Sequence, residues 1–308
     1  MDFIIFIVAM AALIYGADFI IKESERIALH FDISHFVIGA TLIAFGTSLP
    51  EMAASIVASN AGKSDMAVAN VVGSVIFNIT LVLGAVFILA KNMTTSRDLF
   101  AKDSAWVVVP VIIFFIMVQD GEIGRVDGML YLLVMVSYLI FLFTSSKDDL
   151  EDEIDESLTN KFNWPKTIAL LIVGFVLTIG GANFVIESGA RIAESFGVSE
   201  WIIGIFLISL GTSLPELVVS LVALKKGSAE MSIGNIIGSN VANFSMVLGA
   251  ASLVKPLTVD LAATQFDILI MVGASLTLLF IIANKLYNKA GGIFLLTILA
   301  LFIQNAVA

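Results

Sequence analysis

The 308-residue chain contains no cysteine, which excludes disulfides, thiolate nucleophiles and cysteine-held zinc or iron–sulfur centres. Histidine is nearly absent. Only His30 and His35 occur, too few to suggest imidazole metal sites or catalytic triads. Charge is scarce: Asp, Glu, Lys and Arg make up 14% of the residues, against about 25% in a soluble domain. Basic charge is the scarcer sign, and a formal net charge of −10 is the wrong sign for binding nucleic-acid phosphates. No enzymatic constellation is visible.

What fills the chain instead is apolar: 59% of the residues, with a mean hydropathy of +1.02. A water-soluble fold of this size could not hide so much apolar surface. A membrane helix needs roughly 20 apolar residues, and ten such stretches occur, near 2–22, 33–60, 66–90, 103–119, 127–145, 166–187, 200–224, 231–253, 265–283 and 291–306. Runs this long predict helices, since barrel strands would alternate in pieces of about ten residues. The first stretch lacks a basic leader and recurs later in the chain, so it is expected to be a retained helix.

Loops after the odd-numbered stretches carry 12 of the 16 Lys and Arg residues, and those after the even-numbered ones carry Lys63, Arg125, Arg191 and Lys255. Basic residues stay cytoplasmic, so both termini are expected outside. The fifth loop holds KDDLEDEIDES, Lys147–Ser157. It reads either as a calcium-sensing strip or as a solvated, self-repelling linker, and it lacks the glycine-turned loop of an EF-hand.

Sliding the chain on itself by 165 residues gives a gapless internal match. GATLIAFGTSLPEMAASIVAS from Gly39 answers GIFLISLGTSLPELVVSLVAL from Gly204, with 12 identities in 21. MAVANVVGSVIFNITLVLG from Met66 answers MSIGNIIGSNVANFSMVLG from Met231. Each copy holds five stretches, an odd number, so the second copy must enter the membrane from the opposite side. The expected fold is an all-α integral membrane protein in which ten transmembrane helices form two inverted five-helix repeats. Residues 1–145 make the first repeat, 146–164 an acidic cytoplasmic linker and 165–308 the second repeat. Such folds bind their substrates near the midplane, on broken helices.

GTSLPE lies mid-span in both copies. Pro50 and Pro215 lack an N–H and clash with the preceding turn, and Gly46 and Gly211 tolerate unwinding, so backbone carbonyls are expected to be freed there. Thr47 and Glu51 share a helix face beside Ser48, and Thr212, Ser213 and Glu216 repeat the set. Two intramembrane carboxylates in register mark a functional site. They repel, so a proton or a cation must sit between them. In the neighbouring stretches Ser74 and Asn78 lie four residues apart, as do Ser239 and Asn243, with Asn70 and Asn235 one turn earlier. These are candidate ligands, or hydrogen-bond glue in helix packing through Gly73 and Gly238. An all-oxygen donor set is hard-cation chemistry, and calcium accepts about six to eight oxygens in a flexible shell. Asp18, Asp120, Asp127, Glu187 and Asp267 are expected to be solvated near span ends.

GTSLPE twice, with GS-x-x-x-N twice, resembles the α-repeats of the cation/calcium antiporter superfamily, and within it the prokaryotic Na+/Ca2+ exchangers. The resemblance covers essentially the whole chain. It implies a secondary antiporter of the cell membrane that exchanges Na+ for Ca2+ by alternating access, three Na+ for one Ca2+, with no cofactor. It implies that Glu51 and Glu216 hold both ions. Oxygens of Thr47, Thr212, Ala44 and Ser209 would join them, and Ser48, Ser213, Ser74 and Ser239 would complete sodium sites. Helices 1 and 6 would move across the remaining core. Asn243, where several relatives carry Asp, resembles the potassium-independent branch. A Ca2+/H+ antiporter is the alternative, and a cation channel comes after it. The bilayer is the expected partner, and no oligomer is required.

Overall fold

A computed structural model of the chain describes residues 1–90, 93, 95, 97–145, 162–197 and 211–307. The described residues are helical apart from short connections and one two-residue ribbon. The first half runs α1 (Asp2–Phe31), α2 (His35–Thr47), α3 (Leu49–Asn60), α4 (Ser64–Leu89), α5 (Leu99–Asp120) and α6 (Arg125–Ser145). The second runs α7 (Trp164–Ser195), α8 (Leu214–Lys225), α9 (Ala229–Val254), α10 (Leu261–Ala283) and α11 (Lys289–Val307). Strand β1 (Glu122–Ile123) pairs antiparallel with β2 (Leu257–Thr258). Seven of these helices are long and apolar enough to cross a membrane. The pair α2 and α3, bent by 44° where they meet, makes an eighth, and α11 is apolar but shorter. The acidic run Lys147–Ser157, nearly all of the 146–164 linker, and the first part of the 200–224 stretch lie outside the described residues.

Side-chain caps start several helices. Ser34, Asp98, Asn163 and Asp260 each accept a hydrogen bond from a backbone N–H in the first turn that follows. Large apolar side chains such as Ile116, Val126, Leu133 and Val176 stand exposed along α5, α6 and α7. An apolar exterior of this extent suits lipid and not water. The protein is a multi-pass membrane protein.

The two halves repeat in detail. The pairs Leu49 and Leu214, Ser64 and Ala229, and Gly84 and Gly249 each begin a helical segment, at the offset of the sequence match. The repeat extends to a feature the sequence pattern did not suggest. One wide π-helical turn interrupts α4 at Asn78–Leu83 and another interrupts α9 at Asn243–Leu248. A third lies in α2 at Gly39–Ile43. Such insertions re-aim side chains and cluster at functional positions.

The main apolar core joins α2 to α6, α9 to α11 and part of α8. Helices α1 and α7 stand outside it: one small cluster joins them to each other, and a second packs α1 on α2, α8 and the start of α9. Gly16 faces the Gly174 carbonyl and Thr178 of α7, and Gly181 faces the backbone of Ala9 and Leu13 in α1. One end of this pair is tied by Arg191 to Asp2 at 2.6 Å. At the other end His30 stacks on Phe162 with ring centroids 4.1 Å apart. Asp18 of α1 is not left to solvent as expected. It bridges Lys22 at 2.8 Å and Lys226 beyond α8 at 2.6 Å, so it pins the pair to the rest of the molecule. The Ser228 hydroxyl donates to Glu25 beside it, at 2.7 Å. Another ion pair is fully buried: Arg97 binds Asp103 through Nε at 2.6 Å and Nη2 at 3.0 Å, and its guanidinium lies over the Phe36 ring.

Candidate ion-binding site

The GTSLP segment breaks the helix differently from the expectation. The chain departs from helical geometry at Ser48 alone, and Pro50 falls in the first turn of α3, where its missing N–H leaves no bond unmade. Ser213 and Pro215 do the same at the start of α8. Gly46 is not an unwinding point. It keeps its place in the helical turn Ala44–Thr47, and a Cβ there would collide with the Phe175 ring of α7.

Each break sets a glutamate in the first turn of a new helix, where free backbone N–H groups favour a carboxylate. Glu51 is 1% exposed and Glu216 is 0% exposed. The two carboxylates lie near enough for the charge of Glu216 to act on Glu51. The Thr212 hydroxyl lies beside Glu51, and those of Thr47 and Ser48 lie beside Glu216. Nevertheless Glu51 Oε2 and both oxygens of Glu216 have no hydrogen-bond partner.

The remaining predicted residues converge from α4 and α9. Ser74 and Thr212 share a hydrogen bond at 3.2 Å, which links the first half to the second. Thr47 donates to the Asn235 oxygen at 3.4 Å and to the Ala44 carbonyl at 3.3 Å. Asn78, Asn243, Ser239 and Ser213 are all buried. Of the predicted set, Ser209 lies outside the described residues.

Across this set, nine buried polar atoms have no partner: Ser48 Oγ, Glu51 Oε2, Asn78 Oδ1, Ser213 Oγ, both Glu216 oxygens, Ser239 Oγ and both side-chain atoms of Asn243. Folded proteins pair nearly all buried polar groups, so this concentration marks a place built to meet something else. Eight of the nine atoms are oxygens. Among the described residues no cluster of three or more carboxylates or imidazoles occurs. A pair of buried carboxylates with neutral oxygens on the adjoining helices is a donor set of the kind hard cations take.

Asn70 and Asn235 take the second of the two roles the sequence left open, hydrogen-bond glue behind these groups. Asn70 Nδ2 donates to the Glu51 carbonyl at 3.2 Å and to Ser55 Oγ at 2.9 Å. Asn235 Nδ2 donates to Ser220 Oγ at 3.0 Å, the same bond in the second half. Asn70 and Asn235 therefore anchor α3 and α8 and are not themselves left unpaired. Asn240 was not among the expected site residues; it accepts from Asn78 Nδ2 at 3.1 Å. Its only signal in the sequence is a break in the repeat, since Val75 stands at the equivalent place. Packing through the glycine of the second copy is close: Gly238 lies against the Ala40 backbone.

The family model described as sodium/calcium exchanger protein matches residues 1–144 and 166–307. The chain belongs to the sodium/calcium exchanger family. Relatives within this family and its neighbours agree over nearly full length. The chain is 30% identical to the sodium/calcium exchanger MaX1 of Methanosarcina acetivorans, over 92% of this chain and 91% of that protein. It is 35% identical to a membrane protein of Methanocaldococcus jannaschii, over 93% and 90% of the two chains. A solved structure of the sodium-calcium exchanger NCX_Mj, soaked with Na+ and Sr2+, superposes with a TM-score of 0.83 at 32% identity and covers 98% of this chain and 97% of its own. A human sodium/potassium/calcium exchanger matches over only 41% of this chain and 20% of its own length. The exchangers so named are transporters and not enzymes, and the family moves cations through the membrane.

Proposed function

We propose that the protein is an antiporter of the cell membrane that exchanges Na+ for Ca2+ through one site, with Glu51 and Glu216 shared by both ions. The observation that carries this reading is the pair of neighbouring buried carboxylates, three of whose four oxygens lack partners, together with unpartnered hydroxyl and amide oxygens on the adjoining helices. Two carboxylates bring two negative charges, which one Ca2+ neutralises. Sodium would use the same carboxylates with the Thr47, Ser48, Thr212, Ser213, Ser74 and Ser239 hydroxyls, Asn78 and Asn243, and carbonyls such as those of Ala44 and Ser209. More than one Na+ is needed to balance the pair. Three for one would move one net positive charge per cycle.

In this reading the chain spans the bilayer ten times, as two five-helix repeats of opposite orientation that flank the linker at 146–164, with both termini outside. The recurring helix starts, the recurring π turns and the paired Asn–Ser hydrogen bonds support the repeat. The distribution of Lys and Arg supports the orientation. The absence of α1 and α7 side chains from the main core, and their packing on each other, support their movement as a pair against the rest.

Isotopic calcium flux into proteoliposomes tests the function. Sodium-loaded vesicles placed in low-sodium medium are expected to take up calcium, and a positive-inside potential is expected to speed that uptake, because one net positive charge leaves with each calcium that enters. Uptake driven by an acid interior and indifferent to sodium would replace this reading with calcium/proton antiport. Conductance far above carrier turnover would replace it with a channel.

A further inference from the structure

We propose that Asn240 is a positioning residue that fixes the orientation of the Asn78 side-chain amide, so that its oxygen and not its NH2 group is presented to the transported ions. The inference rests on the exchanger reading of the same site.

Asn78 opens the π turn of α4 and is 1% exposed. It follows Ser74 by four residues, and Ser74 is hydrogen-bonded to Thr212, which lies beside Glu51. Its Nδ2 donates to Asn240 Oδ1 at 3.1 Å, while its Oδ1 has no partner. An amide is two-faced: the oxygen attracts a cation and the NH2 repels it. With no ion bound, the neighbouring carboxylates are the strongest acceptors nearby and would draw the NH2 inward. A hydrogen bond of that kind would have to break before any ion could bind. The Asn240 carbonyl gives the NH2 a competing acceptor and leaves the oxygen free.

The second half supplies the internal control. Asn243 corresponds to Asn78, but the residue that corresponds to Asn240 is Val75, which cannot accept a hydrogen bond. Accordingly both polar atoms of Asn243 are unpartnered. One amide of the pair is fixed and the other is free, so the two sides of the site are chemically unlike although their sequences nearly repeat.

Purified protein and proteoliposomes test the proposal, with calcium titrated against melting temperature and against initial uptake rate. Asn240→Val copies the residue of the other half. It is expected to raise the calcium midpoint about tenfold, the worth of one hydrogen bond to a charged group, while maximal rate and ion-free melting temperature hold. Asn240→Asp keeps an acceptor and is expected to bind calcium no more weakly than the parent. Should Asn240→Val fail to fold, Val75→Asn gives Asn243 the same tie and is expected to lower the midpoint. An unmoved midpoint in the variant that folds overturns the proposal, as does a fall in stability and maximal rate at constant midpoint. Glu51→Gln separates the two readings. If it leaves calcium-dependent stabilisation intact, the exchanger site itself is wrong. If it abolishes stabilisation while Asn240→Val changes nothing, only the positioning role fails.

Discussion

Two glycines of the helix bundle should respond differently to the same added methyl group. Gly238 of α9 lies against α2, and a Cβ built there would stand 2.6 Å from the Ala40 Cα and 2.7 Å from its carbonyl carbon, with the Ala40 oxygen nearer still. These are backbone atoms and cannot swing aside. The helices would have to part by roughly 1 Å to restore ordinary contact distances. Overpacking of this kind costs about 1–3 kcal/mol where side chains can yield, and an obstacle made of backbone belongs at the top of that range. Gly84 in α4 gives the contrast: the nearest described atoms to an added Cβ there are the Leu296 Cδ2 at 3.2 Å and Cγ at 3.3 Å, the far end of a side chain that can yield. A shift of a few tenths of an ångström relieves that contact, and loss of the helix penalty of glycine, up to about 1 kcal/mol, offsets its cost. Melting of the purified protein, followed by tryptophan fluorescence, should show Gly238→Ala several degrees below the parent and Gly84→Ala close to it. Equal losses for the two variants would refute the packing argument.

Lys226→Ala removes one of the two cations on Asp18 and loosens the α1–α7 pair at that end. A partly exposed pair is worth about 1 kcal/mol at most, so thiol labelling of a cysteine placed at buried Ser24, in an otherwise cysteine-free chain, should speed up about fivefold or less. Unchanged labelling would mean that this contact holds nothing closed. Asp103→Ala strips the bidentate carboxylate from the buried Arg97 and should destabilise by about 3–5 kcal/mol. Arg97→Met combined with Asp103→Leu should recover most of that loss on melting. A double variant as unstable as the single one would point to shape and not charge.

The sequence was most informative where composition and repetition act on many residues at once. Apolar runs located the helices, and the 165-residue offset matched Glu51 to Glu216 and Ser74 to Ser239 without coordinates. It was least informative where one backbone detail depends on a distant neighbour. GTSLPE signalled a break, but not that Ser48 alone would carry it, nor that Gly46 makes room for Phe175 of α7. The π turns at Asn78 and Asn243 left no trace in hydrophobic period, because one extra residue per turn is set by packing and not by propensity. Asp18 looked like an interfacial acid because its partner Lys226 lies more than two hundred residues away in the chain. Asn240 was visible only as a mismatch between copies, and its role depends on which atom of Asn78 it meets.

The most direct test of the central claim is a calorimetric calcium titration at rising sodium concentration. The account predicts one calcium per chain, an apparent dissociation constant that climbs with sodium as simple competition requires, and no binding after Glu51→Gln or Glu216→Gln. Calcium binding that ignores sodium, or that survives loss of either carboxylate, would contradict it.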